Sequence, residues 1–290
     1  MTDTIHDQVP DALTFADEQA LSEAVRRLET TSLAARLTHM LGSRIEAAGS
    51  YFPERARKAA ALATDLALKA AMRTAIKSLS NKRGPARTNL HKAMATASGA
   101  AGGAMGLAAL PVELPLSATL ILRAIADIAR ASGEDMGNPE TALACMEVFA
   151  LGGNRPDDDY VDSSYFAVRA VLAKSVSEAA TYIAQFGAAK ETAPVIVRLL
   201  SDIAARFGVV VSQKAAAQAI PVIGALGGAG INYAFVDHYQ GLAMGHFTVR
   251  RLERTYGNTL VQQEYARLEK IWRTFQKGGS KSNSAGSPMA

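Results

Sequence analysis

Glu147 is a lone carboxylate inside an apolar helix, and that setting makes it the first candidate for chemistry. The run TALACMEVFALGG surrounds it with Leu143, Cys145, Met146, Val148, Phe149 and Leu151. Its charge must be paired, protonated or held at an edge, because burying an unpaired charge is costly. A structural ion pair with Arg or Lys is the leading expectation. General acid or base work is the chemical alternative, since such surroundings raise a carboxyl pKa. Glu113 stands between Pro111 and Pro115, just ahead of an apolar helix, where the helix dipole and free N–H groups favour an acid. Within that helix Ile121, Ile125 and Ile128 mark one face, while Arg123, Asp127 and Arg130 gather on the other as a solvated strip. Asp127 follows Arg123 by four residues, the spacing of a helix-surface pair. Asp237 and His238 are adjacent on a helix and therefore diverge, and His246 is offset from His238 by about 80°. Glu113, Arg123, Asp127, Glu147, Asp237 and His238 form the set of buried polar candidates. An enzyme would be built in a cavity around Glu147, Glu113 and Arg123.

Other chemistries find no support. There is no HExxH and no Cys/His cluster, so no metal is expected. Asp157, Asp158, Asp159 and Asp162 lack the central glycine of an EF-hand loop and suit the start of the next helix instead. No GxSxG, Walker or GxGxxG pattern sits in a strand–turn–helix context, so no cofactor and no catalytic residue is assigned. The single Cys145 excludes an internal disulfide and suits a reducing compartment. The polar, acidic N-terminus MTDTIHDQVPDALTF has no signal-peptide pattern, which points to the cytoplasm.

The elements that must position these residues are helices. Hydrophobic residues make up 49 % of the chain and aromatics only 6 %, a balance that favours close helix packing over sheet. Apolar spacing predicts a helix from Asp11 to Leu41, then one opened by Pro53 and running to about Leu79. Pro111 and Pro115 start the next, which ends near Gly133. Asn138 and Pro139 are an N-cap and first-turn pair for a short helix to Leu151, closed by Gly152 and Gly153. Further helices are expected from about Tyr160 to Phe186, from Pro194 to Arg206 with a break or kink at Gly208, from Ile231 to about Tyr256, and around Leu260 to Gln276. The fold class is therefore an all-α multi-helix bundle. Its segments are a disordered lead at 1–10, N-terminal helices at 11–80, a helical domain at 81–257, a last helix at 258–276 and a disordered tail at 277–290.

Two Gly/Ala-rich runs, Ala93–Val112 and Ala215–Val236, carry no charged residue apart from those at their borders. Gly102 with Gly106, Gly224 with Gly228, and Gly241 with Gly245 are GxxxG pairs, whose flat stripes let helices approach closely. Both runs are long enough to span a bilayer, but their Gly, Pro, Gln and Asn content offsets the few strong apolar residues. Close packing is the expectation rather than a span. Between Leu66 and Lys92 lie seven cations and no acid: Lys69, Arg73, Lys77, Lys82, Arg83, Arg87 and Lys92. A polybasic stretch beside apolar sequence is what an anionic leaflet attracts. Its bland reading is an ordinary solvated face. Nucleic acid is not an expected partner, since no recognised motif or aromatic interleaving accompanies the cations.

Three blocks, PVELPLSATLILRAIADIARASGED, CMEVFALGG and RFGVVVSQKAAAQAIPVIGALGGAGINYAFVDHYQGLAMGHFTVRRLERTYG, together resemble the EcsC protein family of bacteria. The resemblance covers about Lys82 to Gly257. Glu147 matches the Glu of the family's "ECLEVFALGG"-like block, while Ala144 stands where that block begins with Glu. The family takes its name from an operon encoding an ABC transporter, and the resemblance implies no catalytic residues. The expected function is a non-enzymatic protein that associates peripherally with the cytoplasmic membrane face or with a membrane transporter.

Overall fold

The computed structural model describes residues 12–29, 33, 36–37, 54–77, 89–90, 92–94, 96, 106–153, 165–186, 193–218 and 224–284. Among them there are eight α-helices and no strand: α1 (Phe15–Glu29), α2 (Glu54–Lys77), α3 (Leu110–Ala131), α4 (Pro139–Leu151), α5 (Tyr165–Phe186), α6 (Pro194–Gln218), α7 (Gly224–Tyr256) and α8 (Asn258–Ser284). A short 3-10 turn, Gly106–Ala109, leads into α3. The fold is all-α. Contacts divide the chain into two units, one holding α1 and the stretch from Met244 onward, the other Thr31–Ala243.

The larger unit is organised around α4. A helix that is apolar all round has no face to offer water, and every residue from Thr141 to Ala150 is buried. It packs against α2, α3, α5 and α6, while α2 also lies on α3 and α6. Asn138 caps α4 by accepting a hydrogen bond from the Glu140 N–H at 2.9 Å, as the Asn-Pro pair predicts. Gly133, at φ 83°, lets the chain leave α3 in the left-handed conformation that suits glycine.

In the smaller unit α1 packs on α8, and Thr14 caps α1 by accepting from the Asp17 N–H at 3.2 Å. Asp17 also accepts from the Tyr256 hydroxyl at 2.7 Å and pairs with Arg251 at 3.0 Å. The Tyr256 hydrogen bond leads the interactions that hold its carboxyl below the usual range. Tyr265 donates to Glu29 at 2.8 Å. Gly245 sits so close to α1 that an added Cβ would stand 2.7 Å from Leu28 Cγ and 3.1 Å from the Ala24 carbonyl oxygen.

Several boundaries differ from the sequence reading. α3 begins at Leu110, so Pro111 and Pro115 both lie within its opening turns and Glu113 belongs to the first turn rather than preceding it. α6 runs unbroken through Gly208. Phe207, Val210, Val211 and Lys214 recur at helical spacing and are all buried, and that stripe carries the helix past the glycine. α7 begins at Gly224 instead of Ile231, taking the glycine-rich run into its first turns. α8 continues to Ser284 through part of the tail read as disordered, since extending an existing helix costs far less than starting one.

Candidate functional site

On α2 the apolar positions Ala60, Ala63, Ala67, Leu68, Ala71 and Met72 are buried. The opposite side exposes Lys58, Leu62, Asp65, Leu66, Lys69 and Arg73, which fall within about 100° of arc at 100° per residue. Leu62 and Leu66 remain 54 % and 40 % exposed, so this face mixes apolar and cationic groups. Asp65 pairs with Lys69 at 2.8 Å. Lys77 ends the helix, and Lys82, Arg83, Arg87 and Gly102 lie outside the described residues.

Lys92 departs from the surface expectation. Its ammonium pairs with Asp237, 145 residues away along the chain, at 2.5 Å. Arg36 pairs with the other oxygen of the same carboxylate. Both cations hold the Asp237 carboxyl below its usual range, outweighing the opposing effect of burial. Sequence could not reveal this, because nothing local to Lys92 supplies an acid.

The neighbouring His238 points inward, as adjacency on a helix requires. It and Tyr239 are buried beside Gly152, where an added Cβ would lie 2.9 Å from His238 Nε2 and 3.1 Å from the Tyr239 hydroxyl. Burial, reinforced by the positive charge of Arg36, lowers the His238 pKa to about 4. The folded protein therefore takes up this proton only below about pH 4, whereas the unfolded chain takes it up below about 6.5. Between those values the unfolded state holds more protons, so acidification favours unfolding. We expect this group to remove about 3 kcal/mol of stability between pH 6.5 and pH 4. Urea unfolding across that range should show a smaller pH slope in His238→Gln; an unchanged slope would contradict the assignment.

The most organised polar group lies deeper. Lys214 of α6 is fully buried and Glu113 of α3 is 5 % exposed. The ammonium donates to Glu113 Oε1 at 2.8 Å and Oε2 at 3.1 Å, and to Asn232 Oδ1 of α7 at 2.7 Å. Asn232 Nδ2 donates to Ser117 Oγ at 3.3 Å, and that hydroxyl donates to Glu113 Oε1 at 2.7 Å. The donors and acceptors close a ring through three helices. Gln218 Nε2 adds a longer bond to Glu113 Oε2 at 3.4 Å. Burial alone would raise the Glu113 pKa, but the Lys214 charge and these hydrogen bonds bring it below the usual carboxyl value. Burial in turn pushes the Lys214 ammonium below its ordinary range, against the pull of Glu113.

An aromatic cluster adjoins the ring. Lys214 Nζ lies 4.6 Å from the centre of Phe235. Phe235, Phe207, Phe149 and Tyr239 then pack against one another at centroid separations of 5.0 to 6.3 Å. Beyond them Arg206 donates to the Gly153 carbonyl at 3.3 Å. The three sequence blocks thus meet in one interior.

The remaining candidates are placed differently. Glu113 is buried as expected, but for an ion pair with Lys214 rather than for helix-cap electrostatics alone. Arg123 is exposed, which agrees with its place on the solvated strip and removes it from the buried polar candidates. Asp127 pairs with Arg130 at 2.6 Å, three residues on, instead of with Arg123. Glu147 is buried on α4. Arg123 stands ten residues from Glu113, about 15 Å along α3, so the two do not share a cavity. Gly106 opens the 3-10 turn, Gly224 opens α7 and Gly228 is buried. An added Cβ at Gly241 meets nothing within 4 Å, so of the last pair only Gly245 makes a close contact. Lys214, Ser117, Gln218 and Asn232 were missed. A signal existed: Lys214 is the only charge between Arg206 and Asp237, and Glu113 the only acid between Asp65 and Asp127.

Among the described residues no helix is long and apolar enough to cross a membrane, and no group of three or more His, Cys, Asp or Glu could hold a metal ion. A family model described as the EcsC protein family matches residues 4–252. No curated protein and no solved structure matches the chain.

Proposed function

The chain belongs to the EcsC protein family, and from that premise we propose that it docks peripherally on the anionic, cytoplasmic face of a membrane through the exposed side of α2. The observation carrying this reading is the alternation of Leu62 and Leu66 with Lys58, Lys69 and Arg73 on one exposed arc. Leucines at a bilayer interface leave water, while cations beside them are drawn to anionic headgroups by about 1 kcal/mol each. The pairing of Lys69 with Asp65 reduces its share, and Lys92, held by Asp237, is assigned no lipid contact.

Flotation with phosphatidylserine-containing vesicles and with pure phosphatidylcholine vesicles tests the proposal. The protein is expected to float with the first, weakly with the second, and to be released by salt. Lys69→Glu/Arg73→Glu should weaken binding by roughly fivefold or more, corresponding to about 1 kcal/mol. Leu62→Ser/Leu66→Ser should weaken it without changing its salt dependence. Failure to float with either vesicle sinks the reading, and capture of a membrane transporter without vesicle binding would replace it with a protein partner.

A further inference from the structure

We propose that Lys214 and Asn232 form an intramolecular amide crosslink, with Glu113 as the proton-transfer catalyst, so that the buried ring is a self-modification site. The requirements for such a bond are an amine in contact with a carboxamide, a base for the ammonium proton, a route for protonating the leaving nitrogen, and exclusion of water. Each has a counterpart here. Lys214 Nζ lies 2.7 Å from Asn232 Oδ1, which places the carboxamide carbon within about 4 Å of the amine. Glu113 touches Nζ with both oxygens. Ser117 Oγ stands between Glu113 Oε1 at 2.7 Å and Asn232 Nδ2 at 3.3 Å. Lys214 is fully buried and Phe235 covers its nitrogen at 4.6 Å.

The step balances without a co-reactant. The ammonium passes one proton to Glu113, and the neutral Nζ attacks Asn232 Cγ to give a tetrahedral intermediate. A second Nζ proton reaches Asn232 Nδ2 through Glu113 and Ser117. The Cγ–Nδ2 bond breaks, ammonia leaves, and a Nζ–Cγ amide remains between α6 and α7. The amine touches the carboxamide oxygen, and a shift that brings it to about 3–3.5 Å over the carbon gives a near-attack geometry, where effective molarities of about 10⁵ M and above offset the low intrinsic reactivity of a carboxamide. Burial favours the neutral amine that the attack needs, in line with the lowered Lys214 pKa. Loss of ammonia from a dry interior makes reversal by water slow.

Intact mass spectrometry of the purified full-length protein, before and after a week at 37 °C, tests this. The expected wild-type mass is lower than the sequence mass by one ammonia, and the denatured chain should resist trypsin after Lys214 and yield a branched peptide joining Lys214 to Asn232. Asn232→Ala should keep the full mass and regain that cleavage. Glu113→Gln should remain largely unlinked, and linkage at the wild-type rate would remove Glu113 from the mechanism. Folded wild-type protein that retains its full sequence mass and ordinary cleavage after Lys214 overturns the proposal, leaving the ring an ordinary buried ion pair.

Discussion

Relative to the unlinked parent chain, Lys214→Met is expected to lower the unfolding free energy by about 3–5 kcal/mol, because it strands a buried carboxylate without its counter-charge. Glu113 keeps only the Ser117 and Gln218 hydrogen bonds in that variant, which cannot replace the ammonium between its two oxygens. Its pKa should then rise, since burial acts unopposed. A carboxyl whose folded pKa exceeds its unfolded value resists unfolding best when protonated, so the deficit should be largest at neutral pH and shrink towards acid. In the unlinked parent chain the sign is opposite. There the depressed Glu113 pKa contributes stability above the usual carboxyl range and loses it as pH falls through the folded value. Adding Glu113→Gln to Lys214→Met removes the stranded charge and should recover part of the loss. Urea unfolding of the two single variants and the double variant gives the coupling directly. A double variant as unstable as the sum of the singles would deny that Lys214 and Glu113 act as a unit.

Gly153→Ala should cost about 3 kcal/mol or more, for a different reason. Its new Cβ would stand 2.1 Å from the Arg206 carbonyl oxygen and 2.8 Å from the carbonyl carbon. Those are backbone atoms inside α6, so no rotamer change relieves the overlap. The chain after α4 must move away from α6, disturbing well-packed apolar contacts. Gly153 has no left-handed φ, and the penalty is therefore steric rather than conformational. Gly152→Ala meets side-chain atoms of His238, Tyr239 and Leu242 at 2.9 to 3.3 Å, which can shift, and should cost less. Gly208→Ala serves as the opposite control. Nothing lies within 4 Å of its added Cβ, and alanine in a helix interior gains up to about 1 kcal/mol over glycine. The ranking of the three midpoints in urea tests the packing; a Gly153→Ala protein as stable as the parent would refute the close approach of α6.

Most of the secondary structure was legible because its causes are local. The Asn138–Pro139 pair marked the start of α4, the all-apolar character of that helix marked its burial, and the lack of alternation excluded strands. Errors arose where tertiary packing overrode a local signal. Gly208 reads as a break, yet the buried stripe from Phe207 to Lys214 holds α6 straight through it. Arg123 and Asp127 differ: both four-residue and three-residue spacings suit a helix pair, and Arg130 takes the carboxylate at three, a choice between two local partners.

What the amino-acid sequence determined by itself was the helical class, the approximate extent of the helices, the cationic run containing Lys69 and Arg73, and the anomaly of a lone acid in the apolar helix at Glu147. Tertiary structure decided which charge answers which. Lys214 lies 101 residues from Glu113 and Lys92 lies 145 from Asp237, and no helical period links such positions. Periodicity specifies the side of a helix that leaves water, because that depends on neighbours three and four residues away. The choice of partner across the interior depends on how several helices pack at once, and there a buried charge gains from the one opposite group that packing brings within reach.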